Sequence, residues 1–229
     1  WYDRRYRRWA VFNARTYLNH LNPEYLRYYF ASRLADKIED IDLNFDDFQS
    51  RVNSDLVGKY LNIASRCSSF IEKNSNALSS TFDNELIEKA INQKEAIEAC
   101  FESRNYSKAV RLIMDIADLT NKYINDNTPW KKDIDEAAQI ATTALNVFNI
   151  LSIYLSPIIP NITSEAFKFL NQEKQSFNDI ELYLKNNINK YRPLLKRLEP
   201  IVIPEEKPMS EEENYINIDQ FADIDLRVA

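Results

Sequence analysis

A single glycine, Gly58, stands in 229 residues, and that scarcity excludes several kinds of active site. Phosphate-cradling loops, dinucleotide fingerprints and nucleophile elbows each need glycine where the backbone turns to positive φ or comes close to a ligand. A self-contained nucleotide-binding active site is not expected, and no catalytic residue is assigned. Histidine and cysteine are almost as scarce. His20, Cys67 and Cys100 form no CxxC or HxxxH spacing, so neither a metal site nor a Cys/His nucleophile is expected. Both cysteines read as small apolar filler on helices. Long apolar runs are also missing: the stretch 147–155 is broken by Asn149 and Ser152 and falls short of the ~20 residues that cross a bilayer. The basic N-terminus lacks the apolar core of a secretory signal. These absences together predict a cytoplasmic protein with no membrane span.

The chain does carry helical periodicity. Phe45, Phe48, Val52, Leu56, Tyr60, Ile63, Cys67 and Phe70 recur at spacings of three or four, one face of a long helix over 44–74, with Asp42 or Asn44 as its cap. Further helices are predicted over 83–103, 105–125 and 133–155, the last apolar on much of its surface and so central. Ser156, Pro157 and Pro160 end it, and Thr163 or Ser164 opens a short helix through Leu170. Asn22 followed by Pro23 starts another upstream, with proline in the first turn where its missing donor is harmless. Persistent helical period with little β alternation predicts an all-α antiparallel helical bundle.

Three stretches stand apart from that pattern. WYDRRYRRWAVF, residues 1–12, interleaves arginine with aromatics in a chain of net charge −6. Residues 204–214 are acidic and proline-containing and read as a solvated linker. Residues 215–229 alternate apolar and polar as a strand or two would.

Two sets of residues are candidates for function. Asp55, Gly58, Asn62, Arg66 and Ser69 form a stripe beside the apolar face of the long helix. Glycine in mid-helix costs about 1 kcal/mol relative to alanine, which suits close approach of a bulky group. Asn62 and Arg66, one turn apart, offer an amide and a guanidinium fork suited to a nucleobase edge and its phosphate. As surface residues tied to neighbouring helices they would show the same spacing. The second set is TPWKK: Trp130 follows Pro129 at a helix junction and precedes Lys131 and Lys132. Exposed, it is a stacking platform for an unpaired base; a tryptophan plugging the core fits the same position.

At these residues the chain resembles the bacterial methionyl-tRNA synthetases. The run from FNARTYLNHLNPEYLRYY to LVGKYLNIASR, then NDNTPWKK and YLSPIIPNIT, carries the resemblance, over about residues 12–200. It implies a link of helices (13–43), an anticodon-binding helical bundle (44–203), and at 215–229 the start of a C-terminal OB-fold, the module that binds tRNA and dimerises these enzymes. It also implies that Asn62 and Arg66 read the first anticodon base of tRNA-Met, that Trp130, beside Pro129, stacks on the anticodon, and that Gly58, Lys131 and Lys132 support the RNA contact. Some family members carry asparagine where Gly58 stands. Residues 1–12 occupy the place of the family's catalytic loop and carry neither KMSKS nor HIGH, which reads as a truncation or frameshift boundary. On this reading the chain is a monomer without adenylate chemistry or cofactor of its own. Methionine attachment, with ATP, magnesium and zinc, belongs to the catalytic part of a parent enzyme that is a homodimer. Two rivals remain: the bundle of a leucine- or valine-type class I synthetase, which PWKK together with NIASR argues against, and a helical protein-interaction scaffold without RNA binding, which the acidic charge favours.

Overall fold

The structure is a computed structural model that describes residues 17–18, 21–37, 41, 43–185 and 187–199. His20, Asp42, the arginine-rich segment 1–12, the linker 204–214 and the OB-fold-like stretch 215–229 lie outside the described residues. Among the described residues every regular element is helical and none is a strand, as the periodicity predicts.

Side-chain caps set most of the helix starts. α1 (Pro23–Arg33) opens on Asn22, whose side chain accepts the Glu24 amide. α2 (Phe45–Arg51) opens on Asn44, which resolves the choice between Asp42 and Asn44. The chain then runs through a π-helical segment (Val52–Tyr60) into α3 (Leu61–Lys73). After a loop come α4 (Asn84–Ile91), capped by Asp83, and α5 (Lys94–Glu102). Asn105 caps α6 (Tyr106–Asn127), and Asp133 caps α7 (Ile134–Leu155). Each of these caps satisfies one of the amides that a helix start leaves without a partner. α8 (Pro160–Phe169) completes the set.

Three features depart from the sequence reading. The predicted helix over 83–103 is two helices broken near Asn92. The long helix is not α-helical throughout: over 52–60 it widens to i→i+5 bonding. Gly58 sits within that widened stretch, and a Cβ placed there would meet the Asn53 carbonyl oxygen, five residues back, at 3.1 Å. This gives glycine a local reason independent of any ligand. Finally, α8 begins at Pro160 rather than at Thr163 or Ser164. Its own cap residue, Ile159, supplies no side-chain bond. Instead the buried Glu24 carboxylate of α1 accepts the Asn161 amide at 2.6 Å and the Ile162 amide at 2.8 Å. Three residues along α1, Arg27 donates to the carbonyls of Pro157 and Ile158 at 3.0 and 2.8 Å. α1 thus clamps the turn between α7 and α8 from both sides.

α7 lies at the centre of the bundle. From Ala137 to Leu155 only Gln139 escapes burial. By length and composition this helix could cross a membrane, at mean hydropathy 1.3, yet 94% of its apolar window is buried inside the bundle. It is longer than the broken stretch 147–155 suggests. Tyr60 stacks on Phe148, ring centroids 4.8 Å apart, and shares a 2.6 Å hydrogen bond with Ser152. The buried polar residues of α7 hold the non-helical segments. Thr142 and Thr143 accept the amides of Ser79 and Asp83 at 2.9 Å, and Asn146 accepts that of Leu184 at 2.8 Å. Buried polar groups without such partners would cost about 1–3 kcal/mol each. After Leu184 the described residues form no regular element, and the chain returns to the π-helical segment, where Asn53 accepts the Leu198 amide and donates to its carbonyl, at 2.8 and 2.9 Å.

Candidate nucleic-acid interface

The polar stripe of the long helix faces a matching stripe on α6. Lys59 Nζ donates to Asp118 at 2.7 Å, Asn62 Nδ2 to Asn121 Oδ1 at 2.9 Å, and an Arg66 terminal nitrogen to Asn125 Oδ1 at 2.6 Å. All three rungs join residues 59 apart in sequence. The two helices therefore run parallel and in register at this seam, which α4 and α5 make possible by carrying the chain back between them. Asn121 also donates to the carbonyls of Lys59 and Ala117, at 3.0 and 2.9 Å, so its amide is fixed from both helices. The α6 half of the seam, Asp118, Asn121 and Asn125, escapes the sequence reading, although its spacings of three and four repeat those of 59, 62 and 66. The Asp118 carboxylate, with Asp55 and Asp115 further off, holds the Lys59 ammonium above its ordinary range.

At the end of α6 the chain turns sharply. Thr128 has φ 45°, in the left-handed region, an uncommon conformation for a β-branched residue and a local strain. The turn buries Pro129 and leaves Trp130 in a short 3₁₀ segment (Pro129–Lys131). Trp130 is 53% exposed, which rules out the core-plug reading. The Arg66 guanidinium lies 5.7 Å from the centroid of its ring, within the range of a cation–π contact. The fold thus gathers Asn62, Arg66, Pro129 and Trp130 at one end of the seam.

The remaining predicted positions are arranged differently. Lys131 and Lys132 are exposed, and Lys132 pairs with Glu136 at 3.2 Å. Gly58 lies on the same stripe, one turn before Asn62, but its surroundings are explained by the π-helical backbone. Asn62 and Arg66 are half-buried and are indeed tied to a neighbouring helix. That tie uses one donor of the amide and one of the five guanidinium N–H groups, leaving hydrogen-bonding capacity on the outer edge. Among the described residues no three histidine, cysteine, aspartate or glutamate side chains converge to hold a metal ion.

The Arg66 guanidinium and the exposed Trp130 ring thus meet on an all-helical bundle, the fold class of the α-helical domains. The family described as the anticodon-binding domain of tRNA ligase matches residues 83–212, more than half of the chain, and the chain belongs to that family. Residues 5–68 match the family described as tRNA synthetases class I (M), a match that starts earlier than Phe12. Among similar proteins, a methionine–tRNA ligase of Dichelobacter nodosus is 39% identical over 97% of this chain and 37% of its own length. One from Neisseria meningitidis serogroup A is 42% identical, over 97% and 36%. The chain therefore spans a little over a third of the length of these curated relatives. The structure of apo methionyl-tRNA synthetase from Mycobacterium tuberculosis superposes with a TM-score of 0.75 over 83% of this chain and 42% of that one, at 18% identity, a likeness of fold.

Proposed function

We propose that the chain is the anticodon-reading part of a cytoplasmic methionine–tRNA ligase and that its partner is tRNA-Met. The placement of the Arg66 guanidinium over the exposed Trp130 ring, with Asn62 one turn away, carries this reading. An unpaired anticodon base would stack on Trp130 while Asn62 and Arg66 meet its edge and phosphate, with Pro129 bracing the turn and Lys131 and Lys132 adding positive charge toward the backbone. Aromatic stacking and a guanidinium fork are the usual means by which proteins read splayed-out RNA bases. Asn121 and Asn125 position the two readers.

In the parent enzyme this recognition would serve ATP-dependent attachment of methionine, with anticodon binding energy helping to place the acceptor end. ATP, magnesium and zinc would act in the catalytic part, and dimerisation would use the C-terminal OB-fold. Titrating wild-type, Asn62→Ala and Arg66→Ala chains with tRNA-Met and with an anticodon-altered tRNA tests the assignment. Each substitution should weaken binding to tRNA-Met by about 1–3 kcal/mol, the range for hydrogen bonds to charged or buried groups, and weaken binding to the altered tRNA less, because only the phosphate part of the contact is independent of sequence. Equal losses on both tRNAs would contradict it.

A further inference from the structure

A groove of about 420 Å³ opens at the start of α6, at the far end of that 22-residue helix from the Trp130 turn and so about 33 Å along its axis. Phe30 and Leu34 at the end of α1, Phe101 of α5 and Tyr106 of α6 wall it, and Arg27 and Ile158 close one side. The fold fixes these walls. The Ser107 amide donates to the Leu34 carbonyl at 2.8 Å, and the Phe101 ring packs against Tyr106 and edge-on to Phe177, with centroids 6.0 and 6.1 Å apart. Leu34 is nevertheless 40% exposed, and Phe30, Phe101 and Tyr106 are half-buried. Preformed clefts of this size, lined by aromatic side chains and a few polar groups, are the usual form of a small-molecule site.

The polar groups of the lining are donors of one sign. Arg27 spends Nε and one Nη2 N–H on the carbonyls of Ile158 and Pro157, which leaves three of its five N–H groups, including the end-on pair of Nη1 and Nη2. Glu24, one turn earlier on α1, cannot neutralise it, because its carboxylate is committed to the amides of Asn161 and Ile162. Among the described residues Arg27 forms no ion pair. Tyr106 is the first residue of α6, the positive end of its helix dipole. The charged residues beside the lining in sequence on this corner are Glu102, Arg104 and Lys108, all exposed, so the rim is net positive. The side chains offer no amide that could read the edge of a nucleobase. An end-on guanidinium fork over apolar, aromatic walls suits a carboxylate carried on a flat apolar body.

We propose that this groove is a binding site for a small aromatic carboxylate, whose ring lies between Phe30, Phe101 and Tyr106 and whose carboxylate meets the open edge of Arg27. Such a ligand would join the end of α1 to the corner between α5 and α6. The site is separate from the RNA reading and stands or falls without it.

The test is a calorimetric titration of the full chain with naphthoate, with its neutral isostere naphthylmethanol and with decanoate, an aliphatic carboxylate. Naphthoate should bind saturably with a Kd below about 1 mM, within the efficiency of ligands this small. The neutral isostere should bind about tenfold more weakly or worse, the size of a charge-assisted hydrogen bond, and decanoate should also bind more weakly because it cannot stack. Arg27→Gln should remove the preference for the carboxylate over the alcohol. Because Arg27 also holds the turn between α7 and α8, a second variant leaves that clamp intact: Leu34→Glu places a competing carboxylate in the groove at an already exposed position and should abolish naphthoate binding, with circular dichroism matching the wild type. Absence of saturable naphthoate binding to the wild type would overturn the proposal. So would equal affinity for all three compounds, or naphthoate binding that survives Leu34→Glu.

Discussion

Replacing Trp130 by alanine separates a binding ring from a structural one. Truncating a fully buried large aromatic costs about 3–5 kcal/mol. Trp130 is 53% exposed, so about half of that surface is already in water and no closed cavity is left; the expected cost is about 1–2 kcal/mol. Loss of the Arg66 contact at 5.7 Å accounts for about 0.5–1 kcal/mol of it. For a domain of this size each kcal/mol lowers Tm by about 2–4 °C, so Tm should fall by about 2–8 °C. The effect on RNA should be larger in proportion. Stacking of a base is worth about 1–3 kcal/mol, so affinity for the anticodon hairpin should drop roughly 5- to 150-fold. Thermal melts and hairpin titrations of wild type, Trp130→Ala and Trp130→Phe read both quantities, with phenylalanine expected in between for binding. A Tm loss well above about 10 °C would make the ring part of the core. Unchanged hairpin affinity in a folded variant would refute the stacking role.

Other substitutions probe the seam and the interior. Asn121→Ala removes the acceptor of Asn62 and two bonds to backbone carbonyls; it should cost about 1–3 kcal/mol in urea denaturation and reduce discrimination between anticodons more than overall affinity. Gly58→Ala, which in an ordinary helix would gain about 1 kcal/mol, should give no gain here because the new Cβ crowds the Asn53 oxygen; a full gain in denaturation midpoint would contradict the π-helical account. Burial pushes the Cys67 thiol from 9.0 up to about 12, and the Tyr60 and Tyr154 hydroxyls above their ordinary 10.0. A group whose folded pKa is raised contributes stability that is fully present below its unfolded pKa and lost as pH rises. The urea midpoint should therefore hold near neutral pH, begin to fall near pH 9.0 and fall more steeply beyond 10.0. A midpoint constant to pH 11 would contradict the burial of these groups.

What the sequence makes legible here is local chemistry. Asn22, Asn44, Asp83, Asn105 and Asp133 all cap the helices that follow them, because a short polar side chain before an apolar period satisfies the same free amides wherever it occurs. Nonlocal devices are what it hides. α8 starts at Pro160 because a carboxylate 136 residues earlier than that proline, Glu24, caps it; no pattern within the segment announces this. The π-helical widening does leave a trace, since Phe48, Val52, Leu56 and Tyr60 are spaced by four three times in succession, more than an α-helical period of 3.6 sustains. Trp130 and Arg66 are separately visible as candidates, but their meeting depends on the parallel register of α3 and α6. That register is written in paired stripes at 59, 62, 66 and 118, 121, 125, which become readable only once the two helices are known to be neighbours.

The most direct measurement of the central claim is the affinity of the unaltered chain for tRNA-Met and for the same tRNA with a changed anticodon, at two salt concentrations. Anticodon reading predicts tighter binding to tRNA-Met at both, with a ratio that survives added salt while the absolute affinities fall, because phosphate contacts are screened and base contacts are not. Equal binding of the two tRNAs, or no binding even at low salt, would contradict it.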